Sequence, residues 1–444
     1  MSPELFGRLT DLAASFTVVG ARVIDPAAGK DEVRDLAVVD GLIAGAPGPV
    51  AERIDGTGLV LAPGLCDLHA HLREPGGEAA ETVASAAQAA AHGGFTTICA
   101  MPNTEPPLDS SLAVANGSSS DSACRVRVIG AATIGRSGEE PADLARMADA
   151  GAVGFSDDGS SIRDVSIARR VMERLAALGL PFVEHAEDAD VAGDGVMRAG
   201  LVALRMGLAG WPAEAEVRVV ERDIAIAEDT GARLHVTHLS TAGGLEAIRS
   251  ARSRGVAVTC DVTPHHLAMT DAWVAGSRRF AWEEPDGLPE GAYDGSCRVN
   301  PPLSSRDDAL ALVEGVSDGS IDAIATDHAP HTAERKLVPF GEAAPGLIGL
   351  ETALSLGLAA VESGRLGLGA LLAALSARPA SIIGETRSLE VGSVADLVLF
   401  DPAARWRVER ETLASASSNT PLLGMELQGV VRLTVAGGRV TYRS

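Results

Sequence analysis

The chain has 444 residues, of which 46% are hydrophobic and only 3% aromatic, and its formal net charge is −23. This length fits one large barrel with an accessory piece, whose core is filled by Ala, Val, Leu and Ile. The charge argues against a nucleic-acid partner, because phosphate binding needs clustered Lys and Arg. No apolar run reaches the roughly 18 residues of a membrane helix, and the first residues lack the basic start of a signal peptide.

The five cysteines show no CxxC spacing, which favours a reducing compartment over a disulfide framework. We therefore expect a cytoplasmic protein without a membrane partner.

Both ends of the chain predict short β-strands. Phe16–Ala44 alternates in polarity around a turn signal at Asp40-Gly41, and Gly392–Phe400 and Leu427–Thr441 do the same, the last with a Gly437-Gly438 turn. We expect one small β-sandwich built from residues 14–62 and 386–444. The intervening residues, 63–385, form the predicted catalytic domain.

The middle of the chain alternates short apolar runs with Ala-rich stretches of helical period. Eight runs predict strands: Leu59–Leu65, Phe95–Ala100, Arg125–Ala131, Ala152–Phe155, Pro181–Val183, Arg233–Val236, Val256–Thr259 and Ile321–Ala325. Helices are predicted between most of them, at Glu78–His92, Pro141–Ala150, Val165–Leu178, Ala213–Thr230 and Gly244–Arg254. Eight such units indicate an α/β fold, a (β/α)8 TIM-like barrel, with a doubly wound open sheet as the alternative. Ala275–Ser296, rich in Gly, Pro and acidic residues, is predicted to be a surface loop or a mobile flap.

Successive apolar runs of the predicted barrel lead directly into polar clusters, such as Asp67-Leu-His-Ala-His71 and Thr326-Asp-His-Ala-Pro-His331. In a barrel these strand ends converge on one face, where catalytic loops lie. His69 and His71 are two residues apart, so a strand points both imidazoles to the same side. Four imidazoles and two carboxylates are expected on that face: His69, His71, His185, His238, Asp158 and Asp327.

Six ligands exceed one zinc site but suit two ions bridged by a carboxylate or a carbamylated lysine. The only lysines are Lys30, in the predicted sandwich, and Lys336, in a loop nine residues past Asp327. Neither ends a central strand, so Asp157-Asp158 is the candidate bridge, unless Asp157-Asp158-Gly159 is only a turn. The ligand set favours Zn²⁺ or another divalent transition metal.

Such a centre activates water for attack on a carbonyl, and proton transfer is then needed. Asp327 is the candidate catalytic acid and base, although metal ligation alone is compatible with its position. Arg73 suggests a substrate carboxylate, because a guanidinium matches a carboxylate with two hydrogen bonds; pairing with Glu74 is the alternative. Asn103 and His331 are further candidate substrate contacts. Asn300 is another, although Asn before Pro-Pro is also a plain turn signal.

The remaining histidines have separate predictions. His92 is expected to be structural, and His235, on the other side of its strand from His238, to be a core residue or a support for the ligands. His265 and His266 follow a strand, and whether they line the site is left open. His328 is placed to orient a ligand.

At this point the chain resembles the bacterial type I dihydroorotases of the amidohydrolase superfamily. The resemblance rests on ordered blocks from about Val18 to the C-terminus. They include Asp67-Leu-His-Ala-His-Leu-Arg-Glu-Pro-Gly76, Met101-Pro-Asn-Thr104, Phe155-Ser-Asp-Asp-Gly159, Glu184-His-Ala-Glu-Asp188, His235-Val-Thr-His-Leu-Ser-Thr241 and Ala325-Thr-Asp-His-Ala-Pro-His331.

The resemblance implies reversible hydrolysis of dihydroorotate to N-carbamoyl-aspartate in pyrimidine synthesis, with one or two Zn²⁺ per chain. It implies that His69, His71 and Asp327 hold one metal, that His185 and His238 hold the other, and that Asp158 bridges. It also implies substrate contacts from Arg73, Asn103, Asn300 and His331, with His71 beside them, and from Pro345-Gly346; Pro345 departs from an often aromatic family position.

Two alternatives stay open: another cyclic amidohydrolase, such as an allantoinase or hydantoinase, or a non-catalytic scaffold homologue. The former usually need the bridging lysine, and the latter tend to lose metal histidines. Beyond the small-molecule substrate, a homodimer and a complex with aspartate transcarbamoylase are possible partners.

Overall fold

The computed structural model of the chain describes residues 14–46, 52–119, 122–287 and 292–444. In chain order the strands are β1 (Phe16–Asp25), β2 (Lys30–Val39), β3 (Leu42–Ala44), β4 (Arg53–Asp55), β5 (Val60–Pro63), β6 (Leu65–Ala70), β7 (Phe95–Ala100), β8 (Arg125–Ala131), β9 (Ala152–Ser156), β10 (Pro181–Glu184), β11 (Met197–Arg198), β12 (Gly210–Trp211), β13 (Arg233–Val236), β14 (Val258–Val262), β15 (Ala323–Ile324), β16 (Leu397–Arg407), β17 (Glu426–Ala436) and β18 (Arg439–Arg443).

The α-helices that these residues form are Val83–His92, Ser111–Gly117, Leu144–Asp149, Val165–Leu178, Ala189–Ala192, Leu201–Met206, Glu214–Thr230, Ala242–Ser253, Pro264–Ala268, Arg306–Asp318, Ala333–Lys336, Ala353–Glu362, Leu368–Leu372 and Arg378–Ile382. A π-helical stretch, Ala373–Ala377, lies between the last two. Within the described ranges, no helix has the length and apolar character needed to cross a membrane.

Eight parallel strands form the barrel, and their order in the sheet is their order in the chain, from β6 to β10 and then from β13 to β15. A parallel bridge between Ala70 and His328 brings the last strand back to the first. Asp67 strengthens this junction, because it accepts hydrogen bonds from the Thr326 backbone N–H at 2.7 Å and from the Thr326 hydroxyl at 2.6 Å. The predicted (β/α)8 barrel is therefore confirmed, and the open sheet is excluded.

The helix Val165–Leu178 shows how the sequence builds the outer layer. Asp164 caps its first turn by accepting from the N–H groups of Ser166 and Ile167, and Gly179 ends it with a left-handed φ of 70°. The side chains that it buries recur at helical spacing: Ile167, Ala168, Val171, Met172 and Leu175. This apolar stripe packs on the strands, which fixes the helix against the barrel.

Strands from both chain ends share one second sheet, whose order is β18-β17-β16-β5-β1-β2-β3 with β4 paired to β1. The predicted turns lie in it, since Asp40 and Gly41 have φ of 51° and 78°, and Gly437 and Gly438 have φ of 58° and 76°. The prediction that both ends of the chain build one small β-structure is confirmed. The exact division at residues 62/63 and 385/386 stays a proposal, and residues 47–51 of its first segment lie outside the described residues.

One predicted barrel strand is wrong. Leu59–Leu65 was expected to be the first barrel strand, but β5 pairs with β1 and β16 in the terminal sheet. The break falls at Gly64, whose N–H donates to Asp396 O and where a Cβ would lie only 2.3 Å from the Thr96 side chain. The barrel begins at β6 instead, which contains His69 itself.

The predicted loop at Ala275–Ser296 has, among its described residues, only one short 3-10 turn, which begins at Gly295. Its first part is not at the surface, because Ala275 and Ala281 are buried and Phe280 stacks on Trp273 at 5.9 Å between ring centroids. Residues 288–291 lie outside the described residues, so a flap at this position stays a prediction.

Candidate metal centre and active site

The four histidines and two carboxylates predicted from strand ends come together at the carboxyl end of the barrel. Each of their residues is at most 6% exposed. They come from the ends of five strands that are far apart in sequence, so the barrel alone brings them together.

His69, His71 and Asp158 form the first group, whose ligand atoms all lie within 4.8 Å of one another. Asp158 Oδ1 is 3.4 Å from His69 Nε2, and Asp158 Oδ2 is 3.7 Å from His71 Nε2. Asp327 faces the same imidazoles, with its Oδ1 at 3.0 Å from His71 Nε2 and 3.5 Å from His69 Nε2.

His185, His238 and Asp158 form the second group. His185 Nδ1 is 2.9 Å from His238 Nε2, and each of these nitrogens is 3.7 Å from Asp158 Oδ1. Asp158 is thus the one carboxylate in these two groups that faces both pairs of imidazoles, as a bridge must. Both lysines lie in the described ranges, and neither belongs to the groups that could hold a metal.

The residues present fit a divalent cation. His69 Nε2 and Asp158 Oδ1 are buried and have no hydrogen-bond partner among the described residues. Burial lowers the pKa of His69, but the charges of Asp158 and Asp327 outweigh it and raise that pKa to about 9. Burial likewise raises the pKa of Asp158, but the charge of His69, with the imidazoles of His185 and His238 that face the carboxylate, brings that pKa well below its usual range. The cluster therefore attracts positive charge, which a bound cation supplies.

The ligands are oriented by polar side chains behind them. His69 Nδ1 is 2.8 Å from the hydroxyl of Thr237, which in turn donates to Asp261 Oδ2 at 3.1 Å. His185 Nε2 is 3.2 Å from Glu187, so a proton on that nitrogen leaves Nδ1 free to bind a metal. Asp261 and Glu187 are functional residues that sequence reasoning missed. The available signal for Glu187 was an acid two residues after His185, at the exit of β10.

Backbone geometry at the centre is unusual. Arg73, His238 and Asp327 are non-glycine residues with φ of 60°, 38° and 45°. Such left-handed conformations persist at functional sites where the surroundings hold them. For Asp327 those surroundings include the buried neighbour His328, whose Nε2 is 3.2 Å from Glu81.

A pocket of about 230 Å³ opens directly on the metal cluster. Every candidate substrate contact lines it: His71, Arg73, Asn103, Asn300, His331, Pro345 and Gly346. Arg335 also lines it and was not predicted.

The structure distinguishes the alternatives left open for several of these residues. Glu74 accepts from the Val83 N–H, and none of the ion pairs of the described residues includes Arg73. Arg73 instead donates through Nε to Pro330 O at 3.1 Å. Asn103 Oδ1 accepts a hydrogen bond from His71 Nδ1 at 2.7 Å, so Asn103 orients a ligand as well as facing the pocket.

The remaining histidines divide clearly. His92 contacts Glu351, and neither of them lines the pocket, whereas His235 is buried against Asp261 at 2.9 Å. His265 and His266 are buried beside the site, but neither is among the residues that line the pocket.

The barrel, the shared carboxylate and the open pocket define the class of this protein as a metal-dependent hydrolase of the amidohydrolase type. A family model described as "Dihydro-orotase-like" matches residues 58–243. The dihydroorotase of Geobacter metallireducens is 41% identical over 435 residues, which cover 96% of this chain and 99% of that protein. The dihydroorotase of Anaeromyxobacter dehalogenans (strain 2CP-C) is 44% identical over 439 residues, with 96% and 97% covered.

The chain belongs to the dihydroorotase family. Among solved structures, the L-hydantoinase (dihydropyrimidinase) from Arthrobacter aurescens superposes with a TM-score of 0.82 at 25% identity, covering 96% of this chain and 95% of its own. A D-hydantoinase structure at 24% identity, with a TM-score of 0.79, shows the shared fold alone.

Proposed function

We propose that this chain is a dihydroorotase that reversibly hydrolyses the cyclic amide of dihydroorotate to N-carbamoyl-L-aspartate, in de novo pyrimidine (UMP) biosynthesis. The observation that carries the proposal is Asp158, a buried carboxylate between two pairs of imidazoles. It lies in the same pocket as the guanidinium of Arg73, which has no ion-pair partner among the described residues. Near-full-length likeness to proteins named dihydroorotase supports it.

In this proposal His69, His71 and Asp327 would hold one ion, His185 and His238 would hold a second, and Asp158 would be the ligand that the two groups share. Imidazole and carboxylate donors suit Zn²⁺, with one or two ions per chain. A divalent ion held there supplies a water of lowered pKa and polarises the scissile carbonyl.

The residues of the pocket position the ring. Arg73 presents a guanidinium with no carboxylate partner among the described residues, so it is free to bind the substrate carboxylate with two hydrogen bonds. Burial keeps His331 neutral by lowering its pKa to about 3, and its Nε2 donates to Pro345 O at 2.8 Å. Asn300 donates to Glu187 at 2.7 Å and leaves its carbonyl oxygen for a ring N–H.

Asp327 carries the proton transfer. Burial raises its pKa, but the charge of His69 and a hydrogen bond from His71 outweigh burial and lower the pKa below its usual value. The carboxylate is therefore ionised at neutral pH and accepts a proton from the attacking water. It then delivers that proton to the leaving nitrogen of the opened ring.

The hydantoinase-like fold keeps another cyclic amidase as the second candidate. The absence of a lysine from the metal groups of the described residues opposes it, and the complete ligand set opposes a non-catalytic scaffold. A cytoplasmic location, a homodimer and a complex with aspartate transcarbamoylase remain predictions from the sequence and the family resemblance.

The substrate assignment predicts hydrolysis of dihydroorotate by the Zn²⁺-loaded chain in preference to allantoin and hydantoin. Arg73→Gln is expected to raise KM for dihydroorotate and lower kcat/KM about 10- to 100-fold, because charge-assisted hydrogen bonds to the carboxylate are lost. Steady-state kinetics on the three compounds measures both effects.

The matched control is Arg233→Gln, because Arg233 also donates to backbone carbonyls but at Gly179 and Ile382, away from the pocket. The control should keep the KM of the unaltered chain. Efficient turnover of hydantoin or allantoin without turnover of dihydroorotate would defeat the proposed function.

A further inference from the structure

A segment from the C-terminal part of the chain crosses the catalytic end of the barrel. Between β16 and β17, residues Ala414–Asn419, here called the strap, contact loops that belong to the catalytic domain. The backbone N–H groups of Ala414 and Ser415 donate to Glu351, at 2.7 and 3.2 Å. The strap also contacts the loop before the first barrel helix, where the Ser417 hydroxyl donates to Ala80 O at 2.6 Å.

The strap ends at Asn419, a residue that is 8% exposed and whose side-chain amide has three backbone partners. Its Oδ1 accepts from the His331 N–H at 3.0 Å. Its Nδ2 donates to Ala329 O at 3.0 Å and to Gly346 O at 3.1 Å. One side chain therefore joins two loops, the one after the last barrel strand and the one that contains Gly346.

Both of these loops form the wall of the active-site pocket. Ala329, His331 and Gly346 line it, whereas Asn419 does not. The loops are in close contact, because a Cβ on Gly346 would lie 2.6 Å from Ala329 Cβ and 3.1 Å from His331 Nε2. A small change in their separation therefore moves both the His331 imidazole and the backbone at Gly346.

A second anchor acts on one of the loops only. The ammonium of Lys336 is buried and donates to Ala344 O at 2.8 Å and to Gly346 O at 2.9 Å. It makes no hydrogen bond to residues 329–331 among those described. Loss of Asn419 would therefore leave Gly346 tethered to Lys336 and remove two of the hydrogen-bonded ties of the His331 loop. The direct contacts between the loops, from Ala329 N–H to Leu347 O at 2.8 Å and from His331 Nε2 to Pro345 O at 2.8 Å, would remain.

We propose that Asn419 is a positioning residue that fixes the His331 loop against the Gly346 loop and so sets the affinity of the pocket for its ring substrate. The identity of this ring as dihydroorotate rests on the proposed function. An amide is required, because the site needs one acceptor and two donors at the same place. An aspartate at this position would keep the oxygen that accepts from His331 N–H, but its second oxygen would face the carbonyl oxygens of Ala329 and Gly346.

The test compares Asn419→Ala and Asn419→Asp with Gln428→Ala in the full-length, Zn²⁺-loaded chain. Gln428 is the matched control, because its amide also donates to a backbone carbonyl, Leu358 O at 3.0 Å, but away from the pocket. Hydrogen exchange of peptides covering residues 328–332 and 344–348 is measured beside metal content, kcat and KM for dihydroorotate.

Both Asn419 variants are expected to exchange these peptides at least about tenfold faster and to raise KM about tenfold, with a smaller change in kcat. Metal content should be unchanged, and Gln428→Ala should match the unaltered chain. Unchanged exchange in both loops, or a kinetic loss that follows loss of metal, would overturn the proposal. Failure of the unaltered chain to hydrolyse dihydroorotate would defeat the proposed function alone, since the exchange result still decides whether Asn419 positions the loops.

Discussion

Asp158→Ala is expected to weaken metal binding by more than about 100-fold and to lower dihydroorotate hydrolysis by about 1,000-fold or more. Asp158 is the carboxylate that lies within 3.7 Å of imidazole nitrogens from both histidine groups. Without it each group keeps its two imidazoles and loses the shared negative charge. The measurements are metal content after dialysis and initial rates at saturating substrate.

The control for this variant is Asp396→Asn. Asp396 is also a largely buried carboxylate, but it pairs with Arg125 at 2.6 Å at the opposite end of the barrel. It should keep the metal content and kcat of the unaltered chain, even if it unfolds at a lower temperature. Retention of both metal and activity in Asp158→Ala would show that Asp158 is not a ligand of the metal centre.

Asp327→Asn separates proton transfer from metal ligation. The amide keeps the size of the side chain and one oxygen that can bind a metal, but it cannot accept the proton of the attacking water. We expect kcat to fall by about 10²- to 10⁴-fold while metal content stays near that of the unaltered chain. The same rate assay and metal analysis measure both quantities.

If activity and metal content instead fall together in Asp327→Asn, Asp327 serves ligation and another group moves the proton. If kcat is unchanged, Asp327 does not carry the proton. Asp327→Ala, which removes the ligand oxygen as well, should be at least as impaired in kcat and should also lose metal.

The strand ends were predictable because the chemistry is concentrated there. His69 and His71 share a side by strand alternation, and the other ligands follow runs whose apolar character indicates buried strands. The barrel then converts positions along the chain into positions on one face. Periodicity alone could not place the first strand, since β5 and β6 form one nearly continuous apolar run that Gly64 divides between two sheets.

The supporting residues could not be predicted in the same way. Asn419 contacts His331 across 88 residues of sequence, and Asn-Thr-Pro in a terminal segment has the pattern of an ordinary turn. Asp261 reaches His69 through Thr237, so its role depends on the three-dimensional neighbourhood of two strands. Sequence patterns indicate which face an element buries, but they do not indicate which distant loop a polar side chain will meet.

The most direct test of a metal-dependent dihydroorotase centre is titration of the metal-depleted chain with Zn²⁺ while dihydroorotate hydrolysis is followed. We expect negligible hydrolysis without metal and a rise that saturates after one or two equivalents per chain. The same titration of Asp158→Ala should give no comparable rise. Hydrolysis that is independent of added metal, or no hydrolysis with one or two equivalents demonstrably bound, would contradict this account.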